Sequence, residues 1–131
     1  MDIYREDVMD HYEHPRNQGS FDDTQDKEII EGRDSNASCG DMVQFQLRIV
    51  SDSAGQRISE VKWKGIGCAI TTAAASKLSE YIQGRKLKEL RGMSEEQLLK
   101  EAIGFEVNPG RIKCLTLPVR LIVEVIRKAY A

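Results

Sequence analysis

The period of hydrophobic and polar positions changes twice along the chain, and those changes predict its elements. Residues 3 to about 13 carry Ile3, Tyr4, Val8 and Tyr12 at near-helical spacing, which predicts a short amphipathic helix. His14-Pro15 closes it, because the residue before a proline avoids the helical region. Arg16-Asn17-Gln18-Gly19 then reads as a turn. Val43, Phe45, Leu47 and Ile49 alternate with Gln44, Gln46 and Arg48, a period of two that predicts a half-buried strand. Asp52 to Gln56 is a turn, and Ile58 to Lys64 is a second strand with Val61 and Trp63 on one side. So short a connection makes the pair an antiparallel hairpin. Lys27 to Asp34 supplies a third strand around Ile29 and Ile30.

At Gly65-Ile66-Gly67-Cys68 the period returns to helical. Ile70, Ala73, Ala74, Leu78, Tyr81 and Ile82 share a face up to Gln83, and Gly84 is placed to end the helix. Ser94-Glu95-Glu96-Gln97 has the form of a capping box and opens a short helix to about Ile103. A last helix reaches about Lys128, with Leu117, Leu121, Ile122, Val125 and Ile126 on one face, and Pro118 must lie in its first turn or kink it. The order predicts an α+β fold: a small antiparallel three-stranded sheet with helices packed on one face. No repeat or linker interrupts the chain, so residues 1–131 read as one domain.

Composition excludes more than it assigns. The 131 residues include 19 basic and 21 acidic ones, a net charge of −2, which gives no electrostatic case for nucleic acid. No apolar run approaches the roughly 20 residues that span a bilayer, so no membrane partner is expected. The charged start, Met1 to Asp7, has no signal-peptide stretch, and the expected location is cytoplasmic. There thiols stay reduced, and three cysteines, an odd number, argue against a closed disulfide framework.

The cysteines carry the candidate chemistry. Cys39 precedes the best strand, Cys68 stands where strand gives way to helix, and Cys114 lies near the start of the last helix. None is in a Cys-x-x-Cys pair, and each could be a small buried hydrophobe. Yet each lies at the end of an element, and two are placed where a helix N-terminus lowers a thiol's pKa. If those ends meet at one sheet edge, three thiolates converge, a donor set for zinc, copper(I) or an iron–sulfur cluster. Asp41, two residues after Cys39, is the candidate fourth ligand, unless it only caps a turn. His11 and His14 are far in sequence from every cysteine and read as surface or helix-end residues.

These residues resemble the U-type iron–sulfur cluster assembly proteins, the group of IscU, the NifU N-terminal domain and SufU. The likeness runs through Tyr4-Arg5, Asp10-His11-Tyr12 and Pro15 to Gly19, then Cys39-Gly40-Asp41, Gly65 to Ile70, and Arg111 to Cys114. The resemblance implies a scaffold, not an enzyme with a turnover site. It would accept sulfur from a cysteine desulfurase, bind iron, build a labile [2Fe-2S] cluster on Cys39, Asp41, Cys68 and Cys114, and pass it to iron–sulfur acceptor proteins. Cys39 and Cys114 are both candidates for the first sulfur acceptor. Lys113 stands where IscU-type members have a histidine, and it reads as a cation beside the thiolates. That departure keeps a second function open, a SufU-like carrier in which zinc occupies the same four residues. The stretch from Gly84 to Pro109 is short for the insertion of SufU-type members, Val107 to Arg111 lacks the chaperone motif of IscU-type members, and Ala37 replaces a usual proline. A third reading is a binding domain with inert cysteines. An incomplete ligand set would leave room for a cluster shared in a homo-oligomer. Ligands on loops and element ends imply a metal-free site that is mobile and a fold that metal stabilises.

Overall fold

The computed structural model describes residues 3–21, 28–36, 40–107 and 109–130. Cys39, Ala37 and the first residue of the expected third strand, Lys27, lie outside these residues, as do the side chains of Ile3 and Tyr4. Helix α1 spans Ile3–Glu13 and stops before His14-Pro15. Strands β1 (Ile29–Asn36), β2 (Asp41–Asp52) and β3 (Gly55–Ile66) form one antiparallel sheet in the order β1-β2-β3. Both long strands extend beyond their expected ends, because pairing holds residues that the period alone does not mark. Helix α2 (Ala69–Ile82) follows directly, with Gly84 after it at φ 86°, a left-handed conformation that favours glycine.

Two short helices come next. Helix α3 (Leu87–Arg91) is absent from the sequence reading; its five residues bury Leu87 and Leu90, too few to show a period. Helix α4 (Glu95–Leu98) has the expected capping box, with Ser94 Oγ accepting from Gln97 N–H and Gln97 Oε1 accepting from Ser94 N–H. It runs on as a π-helical turn, Leu99–Ile103, which gives the expected end. After a 3₁₀ turn, helix α5 spans Ile112–Tyr130. Pro118 is its seventh residue, so of the two expected placements the first turn is excluded and the proline stands in the helix interior. Proline has no N–H, so the carbonyl four residues back, that of Cys114, lacks its usual helical donor.

Helices α2 and α5 cover the sheet face made by Val43, Phe45, Leu47, Val61 and Trp63. Each side chain is at most 2% exposed, and they meet Ala73, Ala74, Leu78, Leu117, Leu121 and Ile122 in a single core. Gly32 lets α5 lie close on β1: a Cβ there would stand 2.6 Å from Val125 Cγ2 and 3.2 Å from Leu121 Cδ1. Polar links fix the same pair. Arg120 Nε donates to Asp34 Oδ2 at 2.9 Å, and Asn36 Nδ2 donates to the Lys113 carbonyl at 3.1 Å.

The segment after α1 docks on α2 and β3 through buried hydrogen bonds. Ser76 Oγ accepts from Arg16 N–H at 2.9 Å and pairs with His11 Nδ1 at 2.7 Å. Trp63 Nε1–H donates to the Arg16 carbonyl at 2.7 Å, and Asn17 Nδ2 donates to Ser79 Oγ at 3.1 Å. His11 lies in the last turn of α1, as a helix-end residue, but it is 6% exposed, so its reading as a surface residue is corrected. No helix among the described residues is long and apolar enough to cross a membrane.

Two predictions follow from this packing. Gly32→Ala forces a methyl into Val125, a branched side chain with little freedom to move. Overpacking of this kind costs about 1–3 kcal/mol, which a lowered urea midpoint with unchanged slope would register. The second concerns His11. Burial, and then the Arg16 charge, hold its pKa below the ordinary 6.5, against the raising effects of Asp7 and Glu80. Between 6.5 and the depressed folded value the unfolded chain binds the proton and the folded chain does not. Stability therefore falls as pH drops through that window. Thermal melts from pH 7.5 to 5.5 should show this loss, and His11→Gln should flatten the part of it that His11 supplies.

Candidate metal centre

Three donors from three elements meet at one end of the sheet. Asp41 opens β2, Cys68 is the residue that caps α2, and Cys114 is the third residue of α5. Their ligand atoms, one carboxylate oxygen and two sulfurs, all lie within 4.8 Å of one another. The backbone explains the convergence. Met42 pairs with Ile66 across β2 and β3, so the residue before Met42 and the residue after Ile66 are neighbours. Gly67 makes their approach possible: a Cβ on it would come within 3.0 Å of Asp41 Cγ and Oδ1 and 3.1 Å of Thr71 Cβ. Cys68 follows at once, extended at φ −73° and ψ 173°, and α2 turns away from it.

The two sulfurs are 3.2 Å apart, within hydrogen-bonding distance of each other. Their acidities diverge accordingly. Burial pushes the Cys68 thiol up, but the Thr71 backbone N–H and the Cys114 thiol, with the Ile70 N–H, bring it below its ordinary value. Cys114 is pushed up to about 11, by burial first, then by its hydrogen bond to Cys68 and by the charges of Cys68 and Asp41. The expectation that both helix starts lower a thiol's pKa thus holds for Cys68 and is corrected for Cys114, where burial outweighs the helix start. A bound metal needs the thiolate form of both residues, so binding releases protons.

Asp41 is 6% exposed and accepts a hydrogen bond from Thr71 Oγ1 at 2.9 Å. Cys39 lies outside the described residues, between two that are tied together: Asn36 pairs with Asp41 across β1 and β2, and Gly40 N–H donates to the Asn36 carbonyl at 2.9 Å. Asn36 also grips the Lys113 carbonyl, so the end of β1 that leads to Cys39 is tied to the first turn of the helix that carries Cys114. Lys113 itself is exposed, and its carbonyl accepts hydrogen bonds from Asn36 Nδ2 and Thr116 Oγ1. His11 pairs with Ser76 and is not in the donor group.

Sequence reasoning missed Thr71, Gly67 and Asn36. The usable signal was a hydroxyl three residues after a cap cysteine, which returns to the same side of the helix one turn on. A cavity of about 650 Å³ lies beside the first turn of α5 and is lined by Ile112, Leu115, Leu99 and Phe105, not by the three donors.

Residues 3–129 match the sequence profile described as NifU-like N terminal domain. The iron-sulfur cluster assembly scaffold protein IscU of Haemophilus influenzae is 32% identical over 114 residues, 87% of this chain and 85% of that protein. Iron-sulfur cluster assembly protein 2 of Arabidopsis thaliana is 31% identical over 95% of this chain and 72% of its own length. Among solved structures, a putative iron-sulfur cluster assembly scaffold protein for the SUF system from Fervidobacterium islandicum AW-1 superposes with a TM-score of 0.65 at 25% identity, over 96% of each chain. A NifU-like protein's N-terminal part from Brucella abortus shares the fold at a TM-score of 0.67 and 13% identity, over 98% of this chain and 94% of that one. The chain belongs to the NifU-like N-terminal domain family of iron–sulfur cluster assembly proteins.

Proposed function

We propose that this protein is an iron–sulfur cluster assembly scaffold, one domain over residues 1–131, that builds a labile [2Fe-2S] cluster and passes it to acceptor proteins. The observation that carries the reading is the meeting of Asp41, Cys68 and Cys114 within 4.8 Å, from three elements far apart in the chain. Cys39, two residues before Asp41, completes a set of three thiolates and one carboxylate. Soft thiolates suit iron and sulfide, while the carboxylate binds iron more weakly and suits a cargo that must leave.

Sulfur arrives from a cysteine desulfurase as a persulfide. A thiolate of Cys39 or Cys114 attacks the outer sulfur, a new sulfur–sulfur bond forms, and the desulfurase cysteine leaves as a thiolate. Each transferred sulfur then needs two electrons from an external donor to become sulfide. The residues act as a stoichiometric acceptor. A cluster bridging two copies would use the same donors.

A second reading keeps the four residues and changes the occupant. Two thiols with a carboxylate and no described histidine among them also fit zinc, which takes four ligands of this kind. Zinc would hold the thiols as thiolates in a sulfur carrier until the desulfurase displaces a ligand.

Anaerobic incubation with ferrous iron, L-cysteine and a cysteine desulfurase separates the two. The scaffold reading expects a coloured protein with visible charge-transfer absorption, and a colourless product from Cys68→Ser or Cys114→Ser. A protein that stays colourless, holds one zinc and stimulates the desulfurase only when zinc-loaded would establish the carrier. Metal bound to the folded state alone also raises the melting temperature in proportion to the logarithm of its concentration, and a zinc titration should show this.

A further inference from the structure

Thr71 is 2% exposed and stands in the first turn of α2, three residues after Cys68. Its hydroxyl has one hydrogen, which goes to Asp41 Oδ2 at 2.9 Å. Gly67 stands beside both residues: a Cβ on it would come within 3.0 Å of Asp41 Cγ and Oδ1 and 3.1 Å of Thr71 Cβ, so only a glycine leaves the carboxylate this room. Among the described residues it pairs with no cation, an uncommon condition for a carboxylate only 6% exposed. Its nearest chemical company is the sulfur pair.

We propose that Thr71 is a positioning residue of the centre, whose hydroxyl fixes the Asp41 carboxylate in the orientation that binds metal. This rests on the metal-centre reading above and adds a residue to it. The reasoning is that of ligand support in general: a hydrogen bond to a ligating carboxylate removes its rotational freedom before the metal arrives, and losing such a bond typically lowers metal affinity by about 10–100-fold. Oδ1, and the second lone pair of Oδ2, stay available for a cation. The same hydroxyl lies 3.6 Å from Cys68 Sγ, within reach for a hydrogen bond to sulfur. When Asp41 swings off the metal, the hydroxyl has a second acceptor beside it and is not stranded in the core. Thr71 therefore both seats the carboxylate and makes its departure inexpensive, which a ligand of a transferable cargo needs.

Zinc(II) affinity tests this, measured by competition with a chromophoric chelator, with cobalt(II) absorption as the report on ligand geometry. Thr71→Val keeps the shape and removes the donor. It should lower zinc affinity about 10–100-fold and shift the cobalt d–d bands. Thr71→Ser, which keeps the hydroxyl, should restore both to within a few-fold of the wild type. In the Asp41→Ala background Thr71→Val should have no further effect, because the carboxylate it serves is gone. Wild-type affinity and spectrum in Thr71→Val, or losses that multiply in the double variant, would overturn the proposal. Should Thr71→Val fail to fold, Thr71→Ala enters the same comparison. Cys68→Ser and Cys114→Ser keep the two levels apart. If they leave zinc affinity unchanged, the centre itself is wrong; if they abolish it while Thr71→Val does not, only the role of Thr71 falls.

Discussion

The register of the β2–β3 hairpin is the constraint on which the site depends. Met42 opposite Ile66 puts Asp41 against Gly67, and Gly67 delivers the chain to Cys68 at the mouth of α2. A slip of one residue would exchange the two faces of β2, turning Gln44 and Gln46 into the core face where Phe45 and Leu47 now pack. It would also part Asp41 from Thr71 and the sulfur pair. The hydrophobic alternation that fixes the core therefore fixes the donor geometry, and neither could shift alone. Gly32 contributes the third side, since the close seat of α5 on β1 is what carries Cys114 to the same corner.

That corner is electrostatically unfinished. A buried carboxylate that pairs with no cation among the described residues, a thiol raised by burial and by its neighbours and a thiol lowered by its hydrogen-bond partners crowd within a few ångströms. The natural complement of this cluster is a cation with an affinity for sulfur. The hydrogen bonds among Ser76, Arg16, Asn17, Ser79 and Trp63 tie the first segment to α2 and β3 on the core side of the helix, away from the donors.

Much of this was legible in the sequence, for a physical reason. A half-buried hairpin and long amphipathic helices write their period into the chain, so β2, β3, α2 and α5 could be read directly, and the capping box at Ser94 marked α4. The parts that escaped depend on tertiary contact. Five residues of α3 hold only two buried leucines, below what a period can show. His11 carries no local mark of burial, because its partner Ser76 lies 65 residues away. The helix-start argument for Cys114 failed because its thiol is buried and then meets the Cys68 sulfur, neither of which spacing reveals. Thr71 sits in an Ala- and Thr-rich helix face where a hydroxyl reads as filler, and its function becomes visible only when Asp41 is placed beside it. Pro118 was legible as an anomaly, but its depth in α5 was not, since flanking apolar residues carry the helix across it.

The most direct measurement of the central claim is the coordination of zinc in the loaded protein by X-ray absorption spectroscopy. The account predicts one zinc with three sulfur neighbours at about 2.3 Å and one oxygen at about 2.0–2.2 Å, and loss of one sulfur in Cys39→Ser, Cys68→Ser or Cys114→Ser alike. A first shell with fewer than three sulfurs, or a nitrogen in place of the oxygen, would contradict it.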